Sequence, residues 1–402
     1  MEMRASRSGL PHLRVPAFCA RDKGPDVSAR PLLVLVCAWL LSGCGRGRTE
    51  YEWNIPPGFP KPLVPAENPM TLEKVALGRR LFYDARLSGN QTQSCASCHI
   101  QAHGFAEGSV TATGSTGELH HRNSMSLTNV AYNATFTWAH SGITTIEQHV
   151  LIPLFGDAPI EMDAARHEAT ILARLAADAD YVREFDIVFG AAGEISFRNI
   201  AYALAAFVRS LTSFNSPFDR YAYFGDDAAL TQAQLRGMDL FMSERLECSH
   251  CHGGFNFSQF ATHDSTPIED RAFHNTGLYF LEGPPPARFD FGLSLITKHD
   301  GDRYKFKAPT LRNVEHTAPY MHDGGIATLE EVIDFYAAGG RNIETGPLRG
   351  DGRRNPGKSP FVRGFELTAQ EKADLLAFLH SLTDEEFLTR ADLGPLQGAK
   401  SD

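Results

Sequence analysis

Two stretches of this chain repeat one spacing of reactive side chains: Cys95-Ala96-Ser97-Cys98-His99 and Cys248-Ser249-His250-Cys251-His252. Two thiols at that spacing, with an imidazole directly after the second, suit covalent attachment of haem. The thiols add across the vinyl groups, and the histidine then lies beneath the iron as proximal ligand. Zinc ribbons also use Cys-x-x-Cys, but they set their pairs close together, whereas these stand about 150 residues apart. A thioredoxin-like redox pair needs no following histidine, and here one follows both times. The spacing therefore predicts two covalently bound haem c groups, one on Cys95, Cys98 and His99 and one on Cys248, Cys251 and His252.

The other cysteines leave nothing for disulfides. Of seven, Cys19 and Cys37 fall in a leader and Cys44 directly follows it. Arg4, Arg7, Arg14, Arg21, Lys23 and Arg30 precede an apolar run from Leu32 to Leu41. That run is short of the roughly 20 residues a bilayer span needs, but it suits a signal-peptide core. Leu41-Ser42-Gly43-Cys44 has the form of a bacterial lipobox, which predicts a lipid anchor on Cys44 and a place in the periplasm or cell envelope; plain cleavage near Gly43 is the alternative. The net charge of -10 becomes more negative once the basic leader is gone, which makes nucleic acid a poor partner.

The elements that must position the two motifs are themselves repeated. Gly78-Arg79-Arg80-Leu81-Phe82 and Arg86-Leu87 precede the first motif; Gly237-Met238-Asp239-Leu240-Phe241 and Arg245-Leu246 precede the second. After the motifs, Ser126-Leu127-Thr128-Asn129-Val130 matches Thr310-Leu311-Arg312-Asn313-Val314, and Gly142 to Gln148 matches Gly325 to Glu331. Three blocks in one order predict an internal duplication. The expected fold is mainly α, two cytochrome c-like haem domains with long loops and little strand. The expected boundaries are a signal at 1–43, a linker at 44–65, a first haem domain at 66–215 and a second at 216–402.

Capping boxes predict helix starts at Thr328 (with Glu331), Thr231 (with Gln234) and Thr368 (with Glu371). Leu329, Val332, Ile333 and Tyr336 then follow along one helical face, and Phe197 to Phe214 reads as a buried helix. The repeat sets Tyr336 opposite Pro153. Proline offers no ligand atom, whereas a tyrosine oxygen can bind ferric iron. One haem would then be closed by His252 and Tyr336 and the other held open by His99 alone. An ordinary core aromatic at Tyr336 remains the alternative.

Both haem motifs, Ala308-Pro309-Thr310-Leu311-Arg312-Asn313-Val314 and Thr317 to Gly324 carry a resemblance. Over nearly its whole mature length, the chain resembles the dihaem cytochrome c peroxidase and MauG superfamily. Peroxidases of that superfamily carry methionine where this chain has Tyr336, and the tryptophan-modifying MauG branch carries tyrosine. Gly117-Glu118-Leu119-His120, Ser124 to Leu127 and Phe273 to Leu278 are most similar to the MbnH-like dihaem enzymes of methanobactin-type operons.

The resemblance implies roles for further residues. Trp138 matches a tryptophan between the haems, a relay for electron hops, although interface packing is the commoner task for an indole. Glu161 matches a distal acid that could shuttle a proton of peroxide; a solvated carboxylate at the helix expected from Met162 onward is the plainer reading. Gln148 and Pro153 match other distal residues, and Asn123, Thr317 and Pro319 match positions holding a calcium ion between domains. Switching peroxidases carry a loop histidine that blocks the open iron. The nearest candidates here, His120 and His121, sit closer to Arg122-Asn123 than that ligand should, and counting without gaps puts Ser115 at the position, so the first haem is expected to stay open.

Two functions follow. One is a peroxide-dependent enzyme that reaches a high-valent two-haem state and oxidises tryptophan in a small, possibly copper-binding partner protein to a kynurenine-type product. The other is a peroxidase that removes hydrogen peroxide with electrons from a small cytochrome c or copper protein. An electron-transfer cytochrome would instead need both irons closed.

Overall fold

Hydroxyl side chains start the helices that frame the two motifs. Thr71, Thr145, Ser196, Thr231, Thr328 and Thr368 each accept the N–H of the residue one turn on, satisfying a donor that a helix start leaves free. The computed structural model describes residues 48–190, 193–265 and 272–396, all within the compact unit Arg46–Asp402. Leu32 to Leu41, Cys19, Cys37 and Cys44 lie outside the described residues.

In chain order the helices are α1 (Leu72–Phe82), α2 (Cys95–Cys98), α3 (Ile146–Phe155), α4 (Ala164–Ala176), α5 (Ala179–Phe189), α6 (Phe197–Arg209) and α7 (Pro217–Tyr223). They continue as α8 (Gln232–Phe241), α9 (Cys248–His252), α10 (Ser294–Thr297), α11 (Leu329–Ala337), α12 (Ala369–His380) and α13 (Glu385–Thr389). Among the described residues the only sheet is one short antiparallel pair, Asn342–Ile343 with Gly350–Asp351. The fold is therefore mainly helical with little strand, as the sequence predicts.

The three predicted capping boxes open α8, α11 and α12. Two expected boundaries move. The buried helix expected through Phe214 ends at Arg209, because Ser210 Oγ donates back to the Phe207 carbonyl at 2.7 Å and Ser213 N–H donates to Asn129 Oδ1 at 2.7 Å. Hydroxyl residues offer the backbone such alternatives to the helical ladder. The helix expected from Met162 begins at Ala164, since Asp163 takes a left-handed φ of 60° and Met162 N–H is used by the Pro153 carbonyl at 3.0 Å.

Two helix crossings carry the cores, α1 on α6 and α8 on α12. At each, a glycine permits the approach. A Cβ on Gly78 would fall 1.9 Å from the Ala203 carbonyl oxygen, and one on Gly237 would fall 1.9 Å from the Asp374 carbonyl oxygen. Only a residue without a side chain fits there. Beside them Phe82 meets Phe207 and Phe241 meets Phe378, each pair with ring centroids 5.2 Å apart. Leu77, Leu81 and Leu204 surround the first crossing; Leu246, Phe257 and Leu375 surround the second. Each crossing thus packs the helix that leads into one Cys-x-x-Cys-His segment.

Candidate haem sites and the wall between them

Each motif forms a short helical turn, α2 or α9, on the wall of a cavity. Neither cysteine pair is joined in a disulfide. His99 Nδ1 lies 2.7 Å from the Phe105 carbonyl; His252 Nδ1 lies 3.1 Å from the Pro309 carbonyl and 3.2 Å from that of Phe257. A carbonyl at Nδ1 fixes that nitrogen as the donor and leaves Nε2 free as a ligand. Burial holds both imidazoles neutral, His252 down to about 4 and His99 also below its usual value. Two unpaired thiols and a neutral, oriented imidazole on each cavity are the donor set that haem c requires.

The first cavity is lined by Cys95, Cys98 and His99 and, from other elements, by Pro153, Glu161 and His149. Pro153 lies inside α3. Glu161 follows α3, its backbone carbonyl receiving Ser115 N–H at 2.7 Å. Burial raises its carboxyl to about 7. His120 also lines this cavity, with Nε2 3.6 Å from Glu161 Oε1. Ser115 itself is not among the residues lining this cavity, and His120 is.

The second cavity is lined by Cys248, Cys251 and His252, with Leu329, Val332, Ile333 and Tyr336 from α11. Tyr336 stands at the same distance past Thr328 as Pro153 past Thr145, and each caps its helix. Its hydroxyl makes no hydrogen bond among the described residues, and burial pushes its pKa up, with Cys251 and Cys248 adding to the effect.

Asn123 to Ser126, Trp138 and Lys307 line both cavities and so form the wall between them. Trp138 is clamped there: its indole N–H donates to the Asn123 carbonyl at 2.8 Å, and its own carbonyl accepts Lys307 N–H at 2.8 Å. Asn123 N–H reaches the His322 carbonyl at 2.7 Å, which draws its loop to the segment carrying Thr317 and Pro319. The Asn123 amide nitrogen serves Ser109 and Val110 carbonyls. Its Oδ1 and the carbonyls of Thr317 and Pro319 accept no hydrogen bond among the described residues.

One expected site residue stands elsewhere. Gln148 is exposed, and its Oε1 accepts Thr144 N–H at 3.1 Å at the start of α3. It does not line the first cavity; the next residue, His149, does. His149 and Lys307 are residues that the sequence reading missed, and His120 is one that it set aside as too close to Arg122 and Asn123. A signal for the first existed, because Thr145 and Gln148 stand in the same cap spacing that places Thr328 and Glu331.

These features define a dihaem c-type oxidoreductase. A family model described as di-haem cytochrome c peroxidase matches residues 72–228. Cytochrome-c peroxidase IdrP1 of Pseudomonas sp. (strain SCT) is 36% identical over 84% of this chain and 88% of its own length. The methylamine utilization protein MauG of Methylorubrum extorquens is 34% identical over 80% and 81%. A crystal structure of a MauG-like protein associated with microbial copper homeostasis superposes with a TM-score of 0.82 at 47% identity, covering 86% of this chain and 99% of that one. The chain belongs to the di-haem cytochrome c peroxidase and MauG family. It is accordingly a haem-dependent oxidoreductase carrying two c-type haems.

Proposed function

We propose that this chain uses hydrogen peroxide at the first cavity to oxidise a tryptophan of a small partner protein, and that the second cavity, closed by Tyr336, delivers the oxidising power. One observation carries the reading: at one helical register a proline faces the first cavity and a tyrosine the second. The 47%-identical neighbour is associated with copper homeostasis, which supports a copper-binding partner; the kynurenine-type product rests on the resemblance to the tryptophan-modifying branch alone.

Haem held by Cys95, Cys98 and His99, and by Cys248, Cys251, His252 and Tyr336, supplies the redox chemistry. The protein does the rest. Glu161, raised to about 7 by burial, is poised to accept a proton at neutrality and return it; His120 Nε2 stands 3.6 Å from its carboxyl. Pro153 itself offers no ligand atom to the open face. Trp138, held at both its N–H and its carbonyl, is a fixed stepping point between the cavities. Asn123 Oδ1 and the Thr317 and Pro319 carbonyls are free hard oxygens suited to calcium, and an ion there would brace the Trp138 hydrogen bond.

The matched glycine crossings and phenylalanine pairs favour a duplicated chain, one haem domain to about residue 215 and the second from Ser216. No helix among the described residues is long and apolar enough to cross a membrane. Export on the leader and lipid attachment at Cys44 complete the reading, placing the enzyme at the periplasmic face.

Peroxide added to the dihaem protein together with a small copper-binding candidate partner, followed by mass spectrometry, is expected to reveal oxidised tryptophan in that partner. The names of the relatives favour a second reading, a peroxidase fed by a small cytochrome c or copper protein. An unmodified partner together with fast turnover on such a donor would establish that reading instead.

A further inference from the structure

Lys307 is only 3% exposed, in the wall that both cavities share. Among the described residues its ammonium donates to one group, the Thr135 carbonyl at 3.1 Å, and forms no ion pair with a carboxylate. An ammonium has three N–H donors, and a buried charge without an opposite charge is costly. Burial brings its pKa down to about 7. Two residues on from Thr135, Thr137 lines the first cavity, and its hydroxyl is buried with no hydrogen-bond partner among the described residues. Thr137 also holds a φ of 67°. A β-branched residue rarely adopts that left-handed conformation, and such strain clusters where a site requires it. A cation without a counter-ion, an unused hydroxyl and a strained backbone thus meet on one stretch, Thr135 to Trp138.

We infer that Lys307 and Thr137 bind a propionate carboxylate of the haem carried by Cys95, Cys98 and His99, the ammonium as its counter-ion and the hydroxyl as a second donor. Lys307 lines both cavities, but Thr137 lines the first and not the second, which assigns the carboxylate to the first haem. Burial, then positive charge at His99 and at Lys307, hold the first-cavity residue His149 neutral, so the Lys307 charge is felt on that side of the wall. The same lysine gives its backbone N–H to the Trp138 carbonyl, and Pro309, two residues on, orients His252. One short segment therefore ties the first haem, Trp138 and the proximal histidine of the second haem together. This role holds whichever reaction the two haems perform.

The test is resonance Raman spectroscopy of the ferric dihaem protein, with excitation tuned to each haem in turn. The propionate-bending band falls in frequency when the carboxylate loses a hydrogen-bond donor. Lys307→Met and Thr137→Val are each expected to lower the band of the first haem and leave that of the second unchanged. Lys307→Arg, which keeps the charge, should stay close to the native protein. Thr137→Val removes one hydroxyl at nearly constant size, so it decides the matter even where Lys307→Met disturbs folding. A merely structural role would lower stability without moving the band. A first-haem band unmoved in Thr137→Val, or in folded Lys307→Met, would overturn the inference, as would a shift confined to the second haem.

Discussion

Glu161→Gln is expected to slow the reaction with hydrogen peroxide by about 10²–10⁴-fold while both haems remain attached. The substitution keeps the size and hydrogen-bonding capacity of the side chain and removes only its ability to carry a proton. The native rate should fall as pH drops through about 7, because the carboxylate, the form that accepts a proton, is lost there. The variant should lack that limb. Stability runs the other way. A carboxyl whose folded pKa lies above its ordinary 4.5 favours the folded state at low pH, and that contribution is lost as pH rises through about 7. Glu161→Gln should therefore gain stability relative to the native protein at alkaline pH. Stopped-flow absorbance at several pH values measures the rate; an unchanged rate removes Glu161 from the chemistry.

Asp219→Ala should lower the free energy of unfolding by about 3–5 kcal/mol, the cost of leaving a buried charge without its partner. Arg312 Nη1 and Nη2 each lie 2.8 Å from an Asp219 oxygen, and both side chains are buried. The guanidinium also donates to the Phe255 carbonyl at 2.6 Å and packs over Phe214 and Phe257. Phe257 in turn supplies a carbonyl to His252 Nδ1. Loss of the pair is thus expected to loosen the proximal side of the second cavity as well as the core. Urea unfolding followed by circular dichroism reads the change, and a loss under about 1 kcal/mol would contradict this role.

Much of the fold was legible because it is written in local chemistry. The capping residues at Thr231, Thr328 and Thr368 need only their own helices, and each opens one. The two attachment motifs and the Pro153 and Tyr336 register were legible for the same reason. What was hidden depends on tertiary contacts. Gly78 and Gly237 could be matched as repeats, but their need for a bare backbone comes from Ala203 and Asp374, far along the chain. Arg312 stands in the segment that marks the family, yet its partner is the distant Asp219, so its own work is structural while Pro309 beside it orients His252.

The distal residues show how such errors arise. Gln148 was assigned to the cavity by likeness, and the helix cap it forms with Thr145 claims it instead. His120, set aside in the sequence for its closeness to Arg122 and Asn123, lines the first cavity 3.6 Å from Glu161, whereas Ser115, the residue an ungapped count favours, does not line it.

The inequivalence of the two cavities is tested most directly by electron paramagnetic resonance of the ferric protein beside its Tyr336→Phe variant. The native protein is expected to give one high-spin signal from the iron on His99 and one low-spin signal from the iron between His252 and Tyr336. Tyr336→Phe should abolish the low-spin signal and leave the other unchanged. Two low-spin signals in the native protein, or a spectrum unaltered by the substitution, would contradict the division between an open and a closed haem.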